Sequence, residues 1–257
     1  MISSADKLET LVDRKVFDLP NLEPEWNSSY CERWLNDERN VVTEFTKRGY
    51  KTLMAEDWAI GALNYPECYG FKEKPTTHYM RPYQKYYEAN KKTIERYLGK
   101  RTCFETHMSL LDYFSKFMDA YKDDPKFSLV WMTNLAHDNE NNAFHADGYF
   151  FEFFRYHKKA FADSFVIVMG DHGRRYGAMS RTDIGAVEIN NPLCFISVPE
   201  NIRNNSDLRR NMEENAEKLL TMFDIHESIN DILDGMPKSN FSNFTGTFPI
   251  IRHRDTK

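Results

Sequence analysis

The chain has 257 residues and a formal net charge of −5 at pH 7, and this length is enough to bury one large core or two smaller ones. Hydrophobic residues make up 41% of the sequence and charged residues 28%, a balance typical of globular proteins rather than disordered ones. The acidic balance, with no run of basic residues, argues against a general nucleic-acid surface. The longest apolar runs have the length of strands, far below the roughly 20 residues that cross a bilayer.

The cysteines and the glycosylation motifs bear on where in or outside the cell the protein is located. Cysteines stand at four widely spaced positions, Cys31, Cys68, Cys103 and Cys194, and their spacing argues against a zinc knuckle or a thioredoxin-like site but leaves disulfide pairing open. The N-glycosylation pattern occurs at Asn27, Asn204, Asn240 and Asn243, which favours the secretory pathway and an extracellular location. Residues 1–10 contain no hydrophobic core of a signal peptide, so the two observations point in opposite directions.

The first half of the chain predicts one strand and several helices. Residues 1–36 form an irregular segment, because prolines at positions 20 and 24 break any long helix. Asp37 is the expected N-cap of a helix that Gly49 ends, and residues 50–55 read as a strand running into Glu56, Asp57 and Trp58. Helical periodicity follows over residues 83–98 and 104–121.

The second half alternates strands with helices. Strands are predicted over residues 127–134, 165–169 and 193–198, with a helix over 146–159 between the first two. A long amphipathic helix over 215–233 ends at Gly235. This order predicts an α/β fold with a mostly parallel sheet flanked by helices. The predicted division is an N-terminal segment over 1–36, an α/β domain over 37–236 and a polar tail over 237–257.

An acidic residue and a histidine follow the apolar strand of residues 165–169, which is expected to be buried on both faces. In α/β sheets, ligands bind beyond the carboxyl ends of the strands. Asp171 and His172 offer a carboxylate oxygen and an imidazole nitrogen there, a set that suits Zn²⁺ or Mn²⁺ better than Mg²⁺ or Ca²⁺. The alternative is that Asp171 caps a turn and His172 is polar surface.

A second pair of the same types, His137 and Asp138, follows the strand of residues 127–134. If the two strands are parallel neighbours about 4.8 Å apart, both pairs reach one crevice and can share a metal or adjacent metals. His145 and Asn142 are further candidates for this crevice, with helix capping or simple exposure as the alternative. Arg175 and Arg181 are candidates for gripping a phosphate or sulfate, with a solvated surface position as the alternative.

From about Phe17 onward, the sequence resembles the alkaline phosphatase/sulfatase superfamily and, within it, the family known as domain of unknown function 229. The matching residues are Phe45, Arg48-Gly49-Tyr50, Ala55-Glu56-Asp57-Trp58, Gly70-Phe71-Lys72, His78-Tyr79-Met80-Arg81-Pro82, His137-Asp138, Asp171-His172-Gly173, Arg175-Tyr176-Gly177, Thr182, Gly185, Glu188, Pro192 and Phe223-Asp224-Ile225-His226.

The resemblance implies a sulfatase-like fold in which Asp171 and His172 hold a catalytic divalent metal. It implies that His137 and Asp138 serve the metal or the substrate oxyanion, and that His226 is structural. In the superfamily, a first strand carries another metal-binding Asp and is followed by a nucleophilic Thr, Ser or modified Cys. The chain begins sixteen residues before Phe17, so we expect that segment to be missing, together with any signal peptide.

The function expected from this resemblance is that of a domain related to metal-dependent hydrolases of phosphate or sulfate esters, inactive as given because no nucleophile is identified. The alternatives are a secreted non-catalytic binding protein and a truncated gene product. The expected ligand is a phosphate or sulfate ester. No nucleic-acid partner and no membrane span are expected.

Overall fold

The computed structural model describes residues 32–64, 68–97, 104–137, 139–242 and 244. The chain divides into two compact units. The first takes in Met1–Phe104 and Asp123–Trp131, and the second takes in Glu105–Lys122 and Met132–Lys257. The α/β domain predicted over residues 37–236 therefore contributes to both units. The N-terminal segment 1–36 and the tail 237–257 lie largely outside the described residues.

The first unit begins with helix α1, Val41–Lys47. Its N-cap is Asn40 and not the predicted Asp37, because the Asn40 side chain accepts the Thr43 N–H at 3.0 Å. The predicted apolar face is confirmed, since Val41, Val42 and Phe45 are all buried. The predicted end is also confirmed: Gly49 has a φ of +83°, a conformation that glycine adopts without strain.

A three-stranded sheet of order β2-β1-β3 forms the centre of the first unit. The strands are β1 Lys51–Glu56, β2 His78–Tyr79 and β3 Lys126–Trp131. Both neighbours pair parallel to β1, so the carboxyl ends of all three strands meet at one edge. The predicted parallel sheet is confirmed for these strands.

The middle strand β1 is buried because it has a partner on each side and a helix packed on it. Residues 52–56 are buried without interruption, with Leu53 and Ala55 fully excluded from solvent. The ring of Phe45 on α1 stacks on Phe127 of β3 at a centroid distance of 4.1 Å. At about 25 cal/mol per Å² of apolar surface removed from water, this helix-to-sheet contact is a main source of stability in the unit.

The helix predicted over 83–98 is two helices, α2 Arg81–Ala89 and α3 Lys91–Tyr97. They meet at Asn90, whose side-chain amide donates to the Tyr86 carbonyl at 2.9 Å. An Asn side chain competes with the helical backbone for such acceptors, which accounts for the break that periodicity alone did not reveal.

The second unit contains α4 Thr106–Ala120, α5 Ala143–Tyr156 and the short α6 Lys158–Ala162. The predicted helices over 104–121 and 146–159 are confirmed within a few residues. Phe114 of α4 lies 5.4 Å from Phe153 of α5, measured between ring centroids. His157, between α5 and α6, contacts Ser115 Oγ of α4 through its Nε2 at 2.5 Å, so aromatic and polar contacts both join these helices.

A separate two-stranded sheet lies in the second unit, formed by β4 Val166–Met169 and β5 Cys194–Ser197. These strands are antiparallel, with Val166 opposite Ser197 and Met169 opposite Cys194. The prediction that β4 is buried on both faces is wrong, because all four of its residues are only half-buried. Between the two strands runs α7, Asp183–Asn190.

The chain after β5 forms α8 Glu200–Arg203, α9 Ser206–Ala216 and α10 Met222–Asn230, followed by a π-helical turn Asp231–Gly235 and a 3₁₀ turn Met236–Ser239. The single helix predicted over 215–233 is therefore wrong. Thr221 and Asp224 form a capping box that starts α10 anew, a signal that stops one helix from continuing into the next. A buried cluster of Val198, Ile202, Leu208 and Phe244 packs these elements together.

The cap of α1 supplies a test of the first unit. We expect Asn40→Ala to lower the free energy of unfolding by about 1–2 kcal/mol, because the buried Asn40 side chain also donates to the carbonyls of Leu35 and Glu38. The matched control Asp37→Ala, at the exposed position first expected to be the cap, should change it by less than about 0.5 kcal/mol. Urea unfolding curves that show equal losses would contradict the assignment of the cap.

Candidate functional site

The Asp171–His172 pair lies directly after β4, as predicted. The Asp171 side chain is 44% exposed and that of His172 is 36% exposed, so both face solvent enough to accept a ligand. Asp171 Oδ1 accepts the His172 backbone N–H at 2.9 Å, which orients the carboxylate toward the imidazole. The positions of the two side chains are therefore set by local hydrogen bonding in the turn after β4, and the side chains are not held in place by burial.

The tautomer of His172 follows from its hydrogen bond. Its Nδ1 lies 2.8 Å from the Gly173 carbonyl, and because a carbonyl only accepts, Nδ1 carries the hydrogen in this contact. The neutral ring then has a lone pair on Nε2, which lies 3.5 Å from Asp171 Oδ2. A metal-binding histidine typically donates its other ring N–H to a carbonyl or carboxylate in this way.

The distance between those two atoms fits a shared cation better than a hydrogen bond. Ligand atoms that lie 2.0–2.1 Å from a tetrahedral zinc ion are about 3.3 Å from one another. The 3.5 Å separation of Nε2 and Oδ2 is close to that value and longer than the 2.7–3.2 Å typical of N–H···O hydrogen bonds. The separation of the two atoms is therefore compatible with two ligands of one ion, and also with an ion pair between Asp171 and a protonated imidazole.

Gly173 fixes the backbone beside the pair. Its N–H donates to the Ile189 carbonyl of α7 at 3.0 Å, and a Cβ at this position would lie 2.1 Å from the Glu188 carbonyl oxygen. Real Cβ atoms do not approach an oxygen so closely, so only glycine allows the turn after β4 to touch the end of α7. This close contact holds the position of Asp171 and His172.

The two predicted strand-end pairs, His137–Asp138 and Asp171–His172, follow strands that do not share a sheet. β3 and β4 belong to different sheets, so the parallel pairing on which a shared crevice depended is not observed. His137 is exposed, and its backbone N–H donates to the Thr133 carbonyl at 3.2 Å in a turn beyond β3. Asp138 lies outside the described residues. In the described ranges, no three His, Cys, Asp or Glu side chains form a group that would hold a metal ion as it stands.

His145 lies on α5 beside a different carboxylate. Its Nδ1 is 3.5 Å from Glu105 Oε1, while the other oxygen of Glu105 is 3.5 Å from Nδ1 of His107. Asn142 occupies the N-cap position of α5, although its side chain makes no capping hydrogen bond, and His145 is exposed. Arg175 and Arg181 are both exposed, which leaves open whether they bind an anion or only solvent.

The structure reveals a second polar strand end, to which the sequence analysis gave no role. Glu56 ends β1 and is only 3% exposed, and the adjacent Asp57 is fully buried. Glu56 Oε1 accepts the Ala62 N–H at 2.6 Å. Burial raises the pKa of the Glu56 carboxyl from its ordinary value of 4.5 to about 7, against the opposing effect of the Ala62 N–H and the Arg81 guanidinium.

Helix α2 holds the backbone that passes over Glu56. Arg81 Nε donates to the Ala59 carbonyl at 2.9 Å, and Glu88 Oε1 accepts the Ala59 N–H at 2.6 Å. Gln84 Nε2 donates to the Asp57 carbonyl at 2.7 Å and to Glu88 Oε1 at 3.2 Å. We call residues 57–61 the β1 loop; its backbone is tied to α2 at both Asp57 and Ala59.

A signal for this second site is present in the sequence. An apolar run followed by an acidic residue occurs at Glu56 as it does at Asp171, and Gly61 follows Glu56 five residues later. Gly61 has a φ of +81°, and a Cβ there would lie 2.9 Å from Glu56 Oε2. What the sequence does not contain is the burial, which arises only when β1 becomes the middle strand of the sheet.

Comparison with known proteins gives one match. Residues 10–245 match the family described as Protein of unknown function (DUF229). The chain belongs to the DUF229 family. No curated protein and no solved structure matches the chain. The family was expected from the residues around Asp171 and Glu56, and that expectation is confirmed.

Other features of this DUF229 chain bear on the compartment. Cys68 is disulfide-bonded, and Cys194 is an exposed free thiol. Asn204 and Asn240 are exposed, whereas Asn27 and Asn243 lie outside the described residues. His226, read as structural, lies in α10 with its Nδ1 3.3 Å from Glu227 Oε1. In the part of the chain that the structure describes, no helix is long and apolar enough to cross a membrane.

The close contact at Gly173 predicts that adding one methyl group there would strongly lower the stability of the protein. We expect Gly173→Ala to lower the free energy of unfolding by about 2–4 kcal/mol, because the new Cβ overlaps the backbone of Glu188. Gly148 on α5 is the matched control, since a Cβ there meets nothing within 4 Å. Gly148→Ala should raise the stability by roughly 0.5–1 kcal/mol. Urea titration of both variants would contradict the packing if Gly173→Ala were neutral.

The buried Glu56 predicts a specific dependence of stability on pH. Its folded pKa lies above its unfolded value, so its contribution to stability is fully present below pH 4.5 and is lost as the pH rises to about 7. The loss amounts to about 3 kcal/mol as an upper value. The isosteric Glu56→Gln variant should lack this loss, and Glu95→Gln, at a half-exposed position of α3, should retain it. Identical pH profiles of wild type and Glu56→Gln in urea unfolding would contradict the burial of a protonated carboxyl.

Proposed function

We propose that the Asp171–His172 pair holds a divalent metal and that this DUF229 chain is part of an alkaline phosphatase/sulfatase-like domain related to hydrolases of phosphate or sulfate esters. The observation that carries the proposal is the 3.5 Å approach of His172 Nε2 to Asp171 Oδ2 at the exposed end of β4. Two atoms with lone pairs face each other there, and a cation between them would satisfy both.

The donor set favours one class of metal. One imidazole nitrogen and one carboxylate oxygen suit Zn²⁺ or Mn²⁺, whereas Mg²⁺ and Ca²⁺ prefer all-oxygen sites. A catalytic zinc site takes three protein ligands, so the pair requires at least one more. His137 and Asp138 are the residues that we propose for this role, and Arg175 is the proposed contact for the anionic ester.

A bound metal of this kind would polarise the ester oxygen and stabilise the charge that develops on it. The chain's own residues would bind and orient. Asp171 would be held by the His172 N–H, and His172 by the Gly173 carbonyl. The Arg175 guanidinium, which is exposed, has the planar fork of donors that matches the oxygens of a phosphate or sulfate group. His145 stays a second candidate for the ester, although in this structure its ring contacts Glu105.

A non-catalytic binding protein is the second candidate. The observation that favours it is that no group of three metal-binding side chains is formed among the described residues. Such a protein would use the Asp171–His172 pair and Arg175 to hold an anionic ligand without converting it. Two protein ligands in place of three would hold the metal weakly, which allows reversible capture of an anion but leaves the ligand set of a catalytic site incomplete.

We also propose that the protein passes through the secretory pathway. The disulfide at Cys68 supports this proposal, because disulfides persist in oxidising compartments. The exposure of Asn204 and Asn240 supports it further, since glycans attach to accessible asparagines.

Metal titration tests the proposed site. We expect weak binding of Zn²⁺ or Mn²⁺ by isothermal calorimetry, reduced at least tenfold in Asp171→Asn and in His172→Gln, because each variant removes one of two ligands. Asp163→Asn, at an exposed position just beyond α6, is the control and should bind as the wild type does. Tight binding that survives the combined Asp171→Asn and His172→Gln substitutions would contradict the proposal.

A turnover assay tests the expectation that the chain is inactive as given. Ester hydrolysis requires an attacking group as well as a metal, and the residues that we assign supply no covalent nucleophile. We therefore expect no measurable hydrolysis of aryl phosphates, phosphodiesters or aryl sulfates by the 257-residue chain in Zn²⁺ or Mn²⁺. Hydrolysis that is present in the wild type and absent in Asp171→Asn would contradict this expectation, because it would require an attacking group or a metal-bound water that acts with Asp171, and it would exclude the non-catalytic alternative.

A further inference from the structure

The β1 loop covers a carboxyl group that has few ways to carry a charge. Glu56 is contacted at the end of the loop: Ala62, the residue that follows the loop, donates its N–H at 2.6 Å, and the left-handed backbone of Gly61 leaves room for Glu56 Oε2. Ionising a buried carboxyl without full compensation costs free energy. That cost is relieved when water reaches the group, and the shortest route for water is displacement of the loop.

We propose that the β1 loop, residues 57–61, is a proton-operated latch that closes over Glu56 when its carboxyl is protonated and loosens when it ionises. The proposal does not depend on the metal site at Asp171 and His172, and it concerns a different strand end. It rests on the burial of Glu56, on the hydrogen bond from Ala62, directly after the loop, to Glu56, and on the hydrogen bonds that join the loop to α2.

The charged groups around Glu56 set the pH range of the latch. Asp57, next to it on the chain, opposes ionisation, whereas Arg81 of α2 favours it. Glu88 of α2 faces the loop and is bound to Ala59. On β2, the pKa of His78 is lowered by burial and by Lys74. No titratable side chain comes from the paired end of β3, which is Val130 and Trp131. None comes from the 3₁₀ turn Ala62–Asn64 either.

The direction of the effect follows from linkage. The closed loop raises the Glu56 pKa to about 7, and an open loop would return it toward 4.5. Opening therefore releases a proton, and its equilibrium constant rises by up to tenfold for each pH unit between those two values and then levels off. The latch is tightest in acid and loosest at and above neutral pH.

The loop lies where its opening would affect ligand binding. The loop lies at the carboxyl end of β1, the edge of a parallel sheet at which ligands bind. Arg81 donates to the Ala59 carbonyl while the loop is closed. Loosening the loop would expose the Glu56 carboxylate and free the Arg81 guanidinium at that edge.

Hydrogen exchange measured by mass spectrometry tests the latch on the full chain. We expect the protection of a peptide covering residues 57–64, corrected for intrinsic exchange, to fall at least about tenfold between pH 5 and pH 7. A peptide covering β3, Lys126–Trp131, should keep its protection and serves as the internal reference. The Glu56→Gln variant should show the same protection of residues 57–64 at both pH values.

A second variant keeps the test specific. Glu88→Gln removes the other carboxylate that binds the loop but leaves Glu56 in place, so it should retain the tenfold fall. Wild-type protection that does not change between pH 5 and pH 7 would overturn the proposal, whatever the stability of the variants. An equal fall in wild type and Glu56→Gln, or its disappearance in Glu88→Gln, would also overturn it.

Discussion

The burial of β1 between two parallel partners is the constraint on which the first unit depends. A middle strand has no edge to expose, so every residue from Thr52 to Glu56 is enclosed, including the carboxylate at its end. A buried carboxylate requires partners or a proton. The β1 loop, its glycine at position 61 and the three polar side chains of α2 can all be understood as the response to that requirement, because each contributes to the surroundings of Glu56 or to holding the loop above it.

Two strand ends in this DUF229 chain share a sequence pattern and differ in their chemistry. After β1, the carboxyl of Glu56 is excluded from water and bound by a backbone N–H, an arrangement that favours a protonated group. After β4, Asp171 and His172 are partly exposed, and His172 Nε2 lies 3.5 Å from Asp171 Oδ2, the pair that we propose as metal ligands. The number of neighbouring strands decides the outcome: β1 has two in its sheet, whereas β4 has one, the antiparallel β5.

The sequence predicted the strands β1, β3, β4 and β5 and most of the helices, because apolar periodicity and glycine positions are local signals, but it missed the two-residue β2, which is too short to show a pattern. It failed where a side chain competes with the backbone, at Asn90 and Thr221, and where a cap is chosen by burial, at Asn40 rather than Asp37. It also predicted the position of Asp171 and His172 but not the partition of the strands into two sheets, since strand pairing depends on contacts between distant segments. The burial of Glu56 could not be predicted for the same reason, because it follows from the pairing of β1 with two distant strands. The structure explains why glycine stands at two of the positions that match the family. A Cβ at Gly173 would collide with the backbone of Glu188, and a Cβ at Gly185 would collide with the backbone of Met179.

The central claim is that Asp171 and His172 hold a metal through the two atoms that face each other after β4. Anomalous diffraction from crystals of the chain grown with Zn²⁺, recorded on either side of the zinc absorption edge, tests it most directly. The account predicts a zinc peak about 2.0–2.2 Å from both His172 Nε2 and Asp171 Oδ2, with the Gly173 carbonyl still bound to His172 Nδ1. A zinc peak bound only at other side chains, with none within reach of this pair, would contradict it.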